Sequence, residues 1–189
     1  MSAISSENRL PPWTSLPISK QLRGDMRSNH AGETGAVCIY RGILRITRDP
    51  GVARFAKDHL ATEERHLSIF EAWLPKQHRS CLLPLWRLAG YLLGMIAAWL
   101  GPRWVFTTID AVENFVVAHY EEQILRLSPL GGPARLLADA LNTFRADEAA
   151  HREEASNQNA GTPHSRVERI WYNVVGIGSS LAVSAARAV

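Results

Sequence analysis

Two copies of one four-residue pattern constrain this chain more than any other feature of its sequence. The segments Glu63–His66 (EERH) and Glu148–His151 (EAAH) both have the form E-x-x-H. In a helix, residues i and i+3 lie on one face, so each pattern directs a carboxylate and an imidazole at the same point. The spacing alone is weak evidence, because a chain with seven histidines produces such pairs by chance.

A lone glutamate on the preceding helix accompanies each pattern. Glu33 lies 30 residues before Glu63, and Glu113 lies 35 residues before Glu148. Di-iron and di-manganese carboxylate bundles use this arrangement, with one Glu from each of two helices and Glu-x-x-His from each of two others. We therefore predict a metal centre with six ligands, which are Glu33, Glu63, His66, Glu113, Glu148 and His151.

Among the six predicted ligands, Glu113 supports this prediction most strongly. Its neighbours on the same helix face are Phe106, Ile109, Val116, Val117 and Tyr120. That face belongs in the core, and an unpaired buried carboxylate costs on the order of several kcal/mol. The sequence has no Arg or Lys between residues 104 and 125. A proton or a distant arginine would also neutralise Glu113. A divalent cation would neutralise it and would in addition account for the other five predicted ligands.

The predicted donor set favours particular metals. Four carboxylates and two imidazoles without a thiolate suit iron or manganese. Two ferrous ions about 3.5–4 Å apart can jointly reduce O₂, whereas zinc would bind but supports no oxygen chemistry. Cys38 and Cys81 lie far apart and form no C-x-x-C pair, so neither a disulfide framework nor a cysteine zinc site is expected.

The apolar periodicity and the placement of prolines predict an all-α fold in one domain over residues 19–189. Pro11, Pro12 and Pro17 predict an extended N-terminal arm over residues 1–18. We expect a four-helix bundle with one apolar inserted helix and a C-terminal amphipathic helix. The predicted helices cover residues 20–47, 50–74, 82–101, 103–127, 134–156 and 167–186.

The insert at about residues 82–101 is the most apolar segment of the chain. Its uncharged run, Leu88–Pro102, has 15 residues, fewer than the roughly 20 that a membrane span needs. Trp and Arg flank it, as they do at interfaces, so we predict a membrane-surface helix. A buried core helix and a true span are the alternatives. The net charge of +3 without a block of basic residues suits an anionic membrane better than nucleic acid.

Several segments resemble the 5-demethoxyubiquinol hydroxylases of ubiquinone biosynthesis, which are ferritin-like, membrane-associated di-iron monooxygenases. The similarity runs in order from about Gln21 to Asn157 and includes segments without a predicted ligand. Asn29 departs from the family, since many members carry Asp there. The matching segments are RSNHAGE at 27–33, EERHL at 63–67, LPLW at 83–86, AVE at 111–113, AHY at 118–120 and FRADEAAH at 144–151.

The resemblance implies a demethoxyubiquinone monooxygenase that hydroxylates the quinol ring with O₂. It implies that the six predicted ligands bind two Fe ions and that His119 and Tyr120 lie near the quinone ring. It also places Arg27 near the same entrance. NADH is the electron source that the family uses, although no Gly-rich dinucleotide loop locates a nicotinamide site here.

The same resemblance implies partners and a location. The expected partners are a membrane-embedded polyprenyl quinone, the bilayer surface and other proteins of quinone biosynthesis. The N-terminus lacks the pattern of a secretory signal, so we expect a peripheral protein on the cytoplasmic face of a bacterial membrane or the matrix face of the mitochondrial inner membrane. Three alternatives remain: a ferritin-like storage or peroxide-scavenging protein, a di-iron hydroxylase of another lipid-like substrate, and a structural helical protein at the membrane.

Overall fold

Six α-helices make up the protein in the computed structural model, which describes residues 10–161 and 164–189. No strand occurs within those ranges, so the predicted all-α class is confirmed. Every predicted helix lies within two residues of an observed one at both ends. The helices are α1 (Lys20–Ile46), α2 (Pro50–Trp73), α3 (Leu83–Leu100), α4 (Pro102–Leu127), α5 (Gly132–Gln158) and α6 (Arg166–Ala188).

The N-terminal arm is only partly described, because residues 1–9 of it lie outside the described ranges. Its second half is not extended throughout, since Trp13–Ser15 form one turn of 3₁₀-helix. The ring of Trp13 packs edge-on against Trp73, with 5.1 Å between the centroids. Trp73 Nε1 donates to the carbonyl of Pro11 at 2.7 Å. These contacts attach the arm to the end of α2. The carbonyl of Pro11 is available as an acceptor because Pro11 is not part of a helix, in which it would accept from the backbone.

The helices α1, α2, α4 and α5 form the four-helix bundle that carries the predicted ligands. Their starts follow ordinary capping rules. Asp49 Oδ1 accepts from the amide of Val52 at 2.9 Å, and Pro50 occupies the first turn of α2. Gly101, with φ of 114°, precedes Pro102 and separates α3 from α4. Short connections of this kind place successive helices side by side.

The inserted helix α3 packs on α1 through small residues. A Cβ added at Gly94 would lie 2.0 Å from the carbonyl oxygen of Ile39, so the two backbones touch. Only Gly90, Gly94 and Ala97 of α3 are buried. The alternative of a buried core helix is therefore wrong. By length and composition α3 could also cross a membrane, and the prediction of a membrane-surface helix stays a prediction.

Substituting Gly94 with alanine is expected to destabilise the protein by about 1–3 kcal/mol or more, because the new methyl group must displace the α1 backbone. Denaturant unfolding would measure the change. Gly176→Ala is the matched control, since no atom lies within 4 Å of its added Cβ. The control should stabilise α6 by up to about 1 kcal/mol. Equal stabilities of the two variants would contradict the close packing of α3 on α1.

Candidate metal centre

The six predicted ligands meet in the centre of the bundle as two overlapping groups. In each group the candidate ligand atoms all lie within 4.8 Å of one another, and every residue is buried. Glu63 and Glu148 belong to both groups, as carboxylates that bridge two metal ions would. The first group is Glu33, Glu63, His66 and Glu148, and the second is Glu63, Glu113, Glu148 and His151.

Both imidazoles direct Nδ1 at this cluster. His66 Nδ1 lies 3.0 Å from Glu148 Oε1 and 3.6 Å from Glu33 Oε2. His151 Nδ1 lies 3.1 Å from Glu63 Oε1 and 3.3 Å from Glu148 Oε2. Each E-x-x-H pattern therefore brings its histidine to the carboxylates, as its i, i+3 spacing predicts.

Several cluster atoms lie close to one another and are buried, but none of them makes a hydrogen bond of regular geometry within the described residues. They are Glu33 Oε2, Glu63 Oε1, Glu148 Oε2 and His151 Nδ1. Unsatisfied buried carboxylate oxygens are costly in a low-dielectric interior. Divalent cations would satisfy all four atoms at once, so the donor set fits a two-metal centre with oxygen and nitrogen ligands. This is the structural observation in favour of metal binding.

The electrostatics of the cluster follow from its burial. Burial, together with the charge of Glu148, raises the pKa of Glu63 to about 8. Burial also raises the pKa of Glu113 well above its usual range, with Glu148 and Glu63 adding to the effect. Burial opposes protonation of His66, but hydrogen bonds to Asp147, Glu148 and Glu33 raise its pKa to about 12. Protons on the imidazoles and carboxyls thus offset the negative charge of the cluster, and bound metal ions would displace these protons.

Two tyrosines orient lone glutamates of the cluster. Tyr120 donates its hydroxyl to Glu33 Oε1, and Tyr40 donates to Glu113 Oε1 at 3.3 Å. Burial raises the pKa of both phenols well above their usual range, so they stay protonated donors. Each tyrosine lies on a bundle helix and fixes one carboxylate from its own side of the cluster.

A second set of contacts holds the two histidines. Asp147 Oδ2 lies 2.9 Å from His66 Nε2, the nitrogen that faces away from the cluster. The ring of His59 stacks on His151 at 4.0 Å between centroids. His59 Nδ1 lies 3.2 Å from the hydroxyl of Tyr40. In metal sites the histidine nitrogen that does not bind the metal is ordinarily held by a carboxylate, as His66 Nε2 is held by Asp147.

Sequence reasoning missed Tyr40, His59 and Asp147. The structure buries His59 beside the cluster. A signal was present for two of them, since His59 precedes Glu63 by four residues and Tyr40 follows Glu33 by seven. Both spacings return a side chain to the same helix face.

The Asp147→Ala substitution should weaken metal binding about 10–100-fold, because His66 loses the carboxylate that fixes its ring. Titration of the metal-free protein with Mn²⁺ or Fe²⁺ would measure the affinity. Asp139→Ala is the control, because Asp139 is exposed on the same helix and pairs with Arg135, away from the cluster. Equal affinities in the two variants would show that Asp147 does not position the ligand.

An apolar cavity of about 350 Å³ opens beside the cluster between α1, α3, α4 and α6. We call it the apolar cavity. Glu33, Glu63, Glu113 and Glu148 lie along it. Most of its remaining wall is made of small or aliphatic residues, such as Ala36, Gly90, Leu93, Val116, Val175 and Gly178. An apolar molecule in this cavity would contact the metal centre directly.

His119 and Tyr120 also line the apolar cavity. Burial, followed by the charges of Arg187 and Arg126, lowers the pKa of His119 to about 3, so its ring is neutral. Its Nε2 lies 3.0 Å from Asn29 Oδ1. Both residues therefore line the cavity beside the cluster, and their proximity to a quinone ring stays a prediction.

Arg27 does not line the apolar cavity. Its Nε donates to the carbonyl of His78 at 3.1 Å, and its Nη1 donates to the carbonyl of Arg187 at 3.4 Å. These bonds turn the side chain into a separate, basic cavity. The expected position of Arg27 near the quinone entrance stays a prediction.

The outer faces of α3 and α6 are strongly apolar. Trp99 is 77% exposed, and Leu181 is 65% exposed. Besides Leu181, the exposed aliphatic residues of these helices are Leu85, Leu88, Leu92, Ile96 and Leu100 on α3, with Val167, Ile170, Val174 and Ile177 on α6. Exposed apolar surface of this extent marks an interaction site, and these two helices also form walls of the apolar cavity.

A bundle with two E-x-x-H helices, two lone glutamates and shared carboxylates defines the class of carboxylate-bridged two-metal proteins. Within that class, the chain belongs to the family described as Ubiquinone biosynthesis protein COQ7, whose profile matches residues 20–186. The resemblance noted in the sequence is thereby confirmed.

Three relatives illustrate the match. The 3-demethoxyubiquinol 3-hydroxylase of Rhodospirillum rubrum is 36% identical over 157 residues, which is 79% of this chain and 69% of that protein. The protein of the same description from Dechloromonas aromatica is 33% identical over 153 residues, 76% of this chain and 70% of its own. The NADPH-dependent 3-demethoxyubiquinone 3-hydroxylase, mitochondrial, of Dictyostelium discoideum is 30% identical over 128 residues, 67% of this chain but only 59% of that protein.

Proposed function

We propose that this protein is a demethoxyubiquinone monooxygenase, which inserts one atom of O₂ into a ring C–H bond of a ubiquinone precursor. The observation that carries the proposal is a buried cluster of six carboxylate and imidazole side chains, four of whose carboxylates line an apolar cavity. The family and the descriptions of its relatives name the substrate class. The second oxygen atom leaves as water, with two electrons and two protons supplied from outside.

The cofactor in this proposal is a pair of iron ions. Two ferrous ions, when bound, would supply electrons to O₂, which zinc cannot do. Glu33 and His66 would hold one ion, Glu113 and His151 the other, and Glu63 and Glu148 would be shared. Tyr40 and Tyr120 keep lone glutamates oriented. The apolar walls exclude water and direct the ring toward the centre.

We further propose that α3 attaches the protein to a membrane surface. Its buried residues face α1, and its large apolar residues face outward. The polyprenyl tail of the substrate would then pass from the bilayer into the apolar cavity between α3 and α6. The face would be cytoplasmic in a bacterium and the matrix side in a mitochondrion.

A nicotinamide nucleotide is the proposed electron source. NADH is the donor that the resemblance implies, and the Dictyostelium relative is described as NADPH-dependent. The sequence has no Gly-rich dinucleotide loop, so the donor would reduce the bound quinone or the centre without such a domain. Other proteins of quinone biosynthesis belong to the proposal as partners in delivering the substrate.

A quinone profile of cells that lack this chain tests the function. Mass spectrometry should find the demethoxy precursor accumulating and ubiquinone missing, and the intact gene should restore ubiquinone. A normal ubiquinone profile, in a host without a second enzyme of this activity, would contradict the quinone assignment. Iron content distinguishes the proposed function from the storage alternative. A storage protein accumulates far more iron than the two ions that six ligands would hold.

A further inference from the structure

Neutral polar side chains surround His119 on one wall of the apolar cavity. Ser28 and Asn29 come from α1, and His119 and Gln123 come from α4. All four are buried, and Ser28 and Gln123 are 0% exposed. Ser28, Asn29 and His119 line the apolar cavity, whereas Gln123 lies behind its wall. None of the four belongs to the metal centre, so their arrangement needs a separate explanation.

Asn29 and Gln123 bind each other through both ends of their amide groups. Asn29 Nδ2 donates to Gln123 Oε1 at 2.9 Å, and Gln123 Nε2 donates to Asn29 Oδ1 at 2.8 Å. We call these two residues the amide pair. Its two hydrogen bonds join α1 to α4 and fix the planes of both amides, because a buried amide has no water with which to exchange partners.

One nitrogen of His119 faces a cation. Arg187 Nη2 lies 3.3 Å from His119 Nδ1. A guanidinium donates and never accepts, so Nδ1 is the acceptor and carries no proton. Burial, followed by the charges of Arg187 and Arg126, keeps the ring neutral by lowering its pKa to about 3. The carboxylate of Asp25 pairs with both arginines. The single ring proton of His119 therefore lies on Nε2.

The amide pair accepts this proton. His119 Nε2 lies 3.0 Å from Asn29 Oδ1 and 2.9 Å from Gln123 Nε2. Ser28 Oγ is farther from it, at 3.2 Å, and donates to the carbonyl of Asp25. Exchanging oxygen and nitrogen in both amides would keep the pair intact and would put the Gln123 oxygen beside Nε2. In either orientation, one amide oxygen of the pair accepts from Nε2–H.

Both nitrogens of His119 are thus engaged by the protein, and neither has a hydrogen bond left for a molecule in the apolar cavity. The ring of Phe115, which also lines the cavity, lies nearly parallel to it, at 16° and 5.8 Å between centroids. This part of the wall consists of two aromatic rings with similar orientations. Such a surface suits contact with a flat ring better than transfer of a proton.

We propose that Asn29 and Gln123 are positioning residues, which lock His119 as the Nε2–H tautomer so that its ring forms a fixed wall for the substrate ring. The proposal rests on the proposed function for the nature of the substrate. Gln123 acts through Asn29 and His119, since it does not line the apolar cavity. A wall that is fixed beforehand lowers the entropy lost when the substrate binds.

Nitrogen NMR of the full chain tests the lock without turnover. The protein would carry isotope-labelled histidine and bound Zn²⁺, which has a filled d shell. A His119→Gln variant would identify the signals of His119. At about pH 8, where an ordinary histidine is neutral, Nδ1 should give the chemical shift of an unprotonated nitrogen and Nε2 that of a protonated one. The opposite tautomer, or a mixture of the two, would overturn the proposal.

Substitutions of Asn29 test what holds the tautomer. Asn29→Ala should give a mixture of tautomers, because it removes one amide and releases Gln123. Asn29→Asp should restore a protonated Nε2, because a carboxylate oxygen in the same place accepts from it. An unchanged tautomer in Asn29→Ala would overturn the proposal.

Thr107→Val is the matched control for the loss of a buried hydrogen bond. Thr107 lies on α4, is 0% exposed and accepts from Asn159 Nδ2 at 3.1 Å, outside the apolar cavity. This variant should keep the wild-type tautomer of His119. A mixture of tautomers in the control as well would assign the effect to a loosened α4 and would overturn the proposal.

Binding of a short-chain demethoxyubiquinone separates the lock from the proposed function. Quenching of tryptophan fluorescence reports binding, since Trp86 and Trp171 line the apolar cavity. Asn29→Ala should bind this quinone about 3–10-fold more weakly, the cost of ordering one side chain on binding, and Asn29→Asp should recover most of the loss. A mixed tautomer with unchanged binding would overturn the positioning role. A wild type that binds no quinone would contradict the proposed function, whereas NMR would still decide whether the amide pair locks His119.

Discussion

Glu113→Ala is expected to abolish hydroxylation and metal binding at one position of the centre, while making the metal-free protein more stable. The carboxylate is 1% exposed, and its pKa is raised well above the usual range by burial and by Glu148 and Glu63. Without metal, folding has to keep a proton on this carboxyl at neutral pH. That costs about 1.4 kcal/mol for each unit by which its pKa is raised, up to the working pH, and alanine removes this cost. The small cavity that alanine leaves subtracts from the gain.

Elemental analysis and denaturant unfolding would measure both effects. Iron should raise the unfolding free energy of the wild type by more than it raises that of Glu113→Ala, which keeps only the group without Glu113. Glu121→Ala is the control, because Glu121 is exposed on the same helix, α4. A Glu113→Ala protein that retains two irons per chain and full activity would remove Glu113 from the ligand set. Loss of stability in the metal-free variant would instead assign the carboxylate a structural role.

The helices were predictable because their ends carry local signals. Asp49 followed by Pro50 marks the start of α2, and Gly101 followed by Pro102 separates α3 from α4. The packing of α3 was harder to predict from the sequence. Its apolar composition fits a buried or an interfacial helix equally well, and only the contact of Gly94 with the backbone of α1 decides which face is buried. That contact joins residues more than 50 positions apart in the chain.

The clustering of the six candidate ligands was predictable because it depends on spacing along single helices. Each E-x-x-H pattern fixes two donors, and the lone glutamates follow from their place on the neighbouring helices. The residues that hold these ligands could not be found in the same way. Asp147 meets His66 across 81 positions of sequence, from a helix on the other half of the bundle.

Arg27 shows that a local motif does not fix the direction of a side chain. The resemblance suggests only that it lies near the quinone entrance. Its direction is decided instead by the carbonyls of His78 and Arg187, which belong to a short turn and to the last helix. No pattern within α1 reports either acceptor.

Gly178→Trp should lower kcat/KM for the quinone by about 100-fold or more and leave the iron content unchanged. Gly178 lies on the α6 wall of the apolar cavity, and no atom lies within 4 Å of a Cβ added there. An indole has the bulk to fill much of a cavity of about 350 Å³. A loss of 100-fold corresponds to about 2.7 kcal/mol of transition-state stabilisation, which exclusion of the ring from the centre easily exceeds.

Gly176→Trp separates blockage of the cavity from damage to α6. Gly176 lies two residues earlier on the same helix, is equally free of contacts at its Cβ, and does not line the apolar cavity. Two residues turn the helix by roughly 200°, so its indole points away from Gly178's side. Near wild-type turnover in Gly176→Trp, with loss in Gly178→Trp, would establish that substrate reaches the metal centre through this cavity. Equal turnover in both variants would place the quinone elsewhere, and the metal centre would then need another route for its substrate.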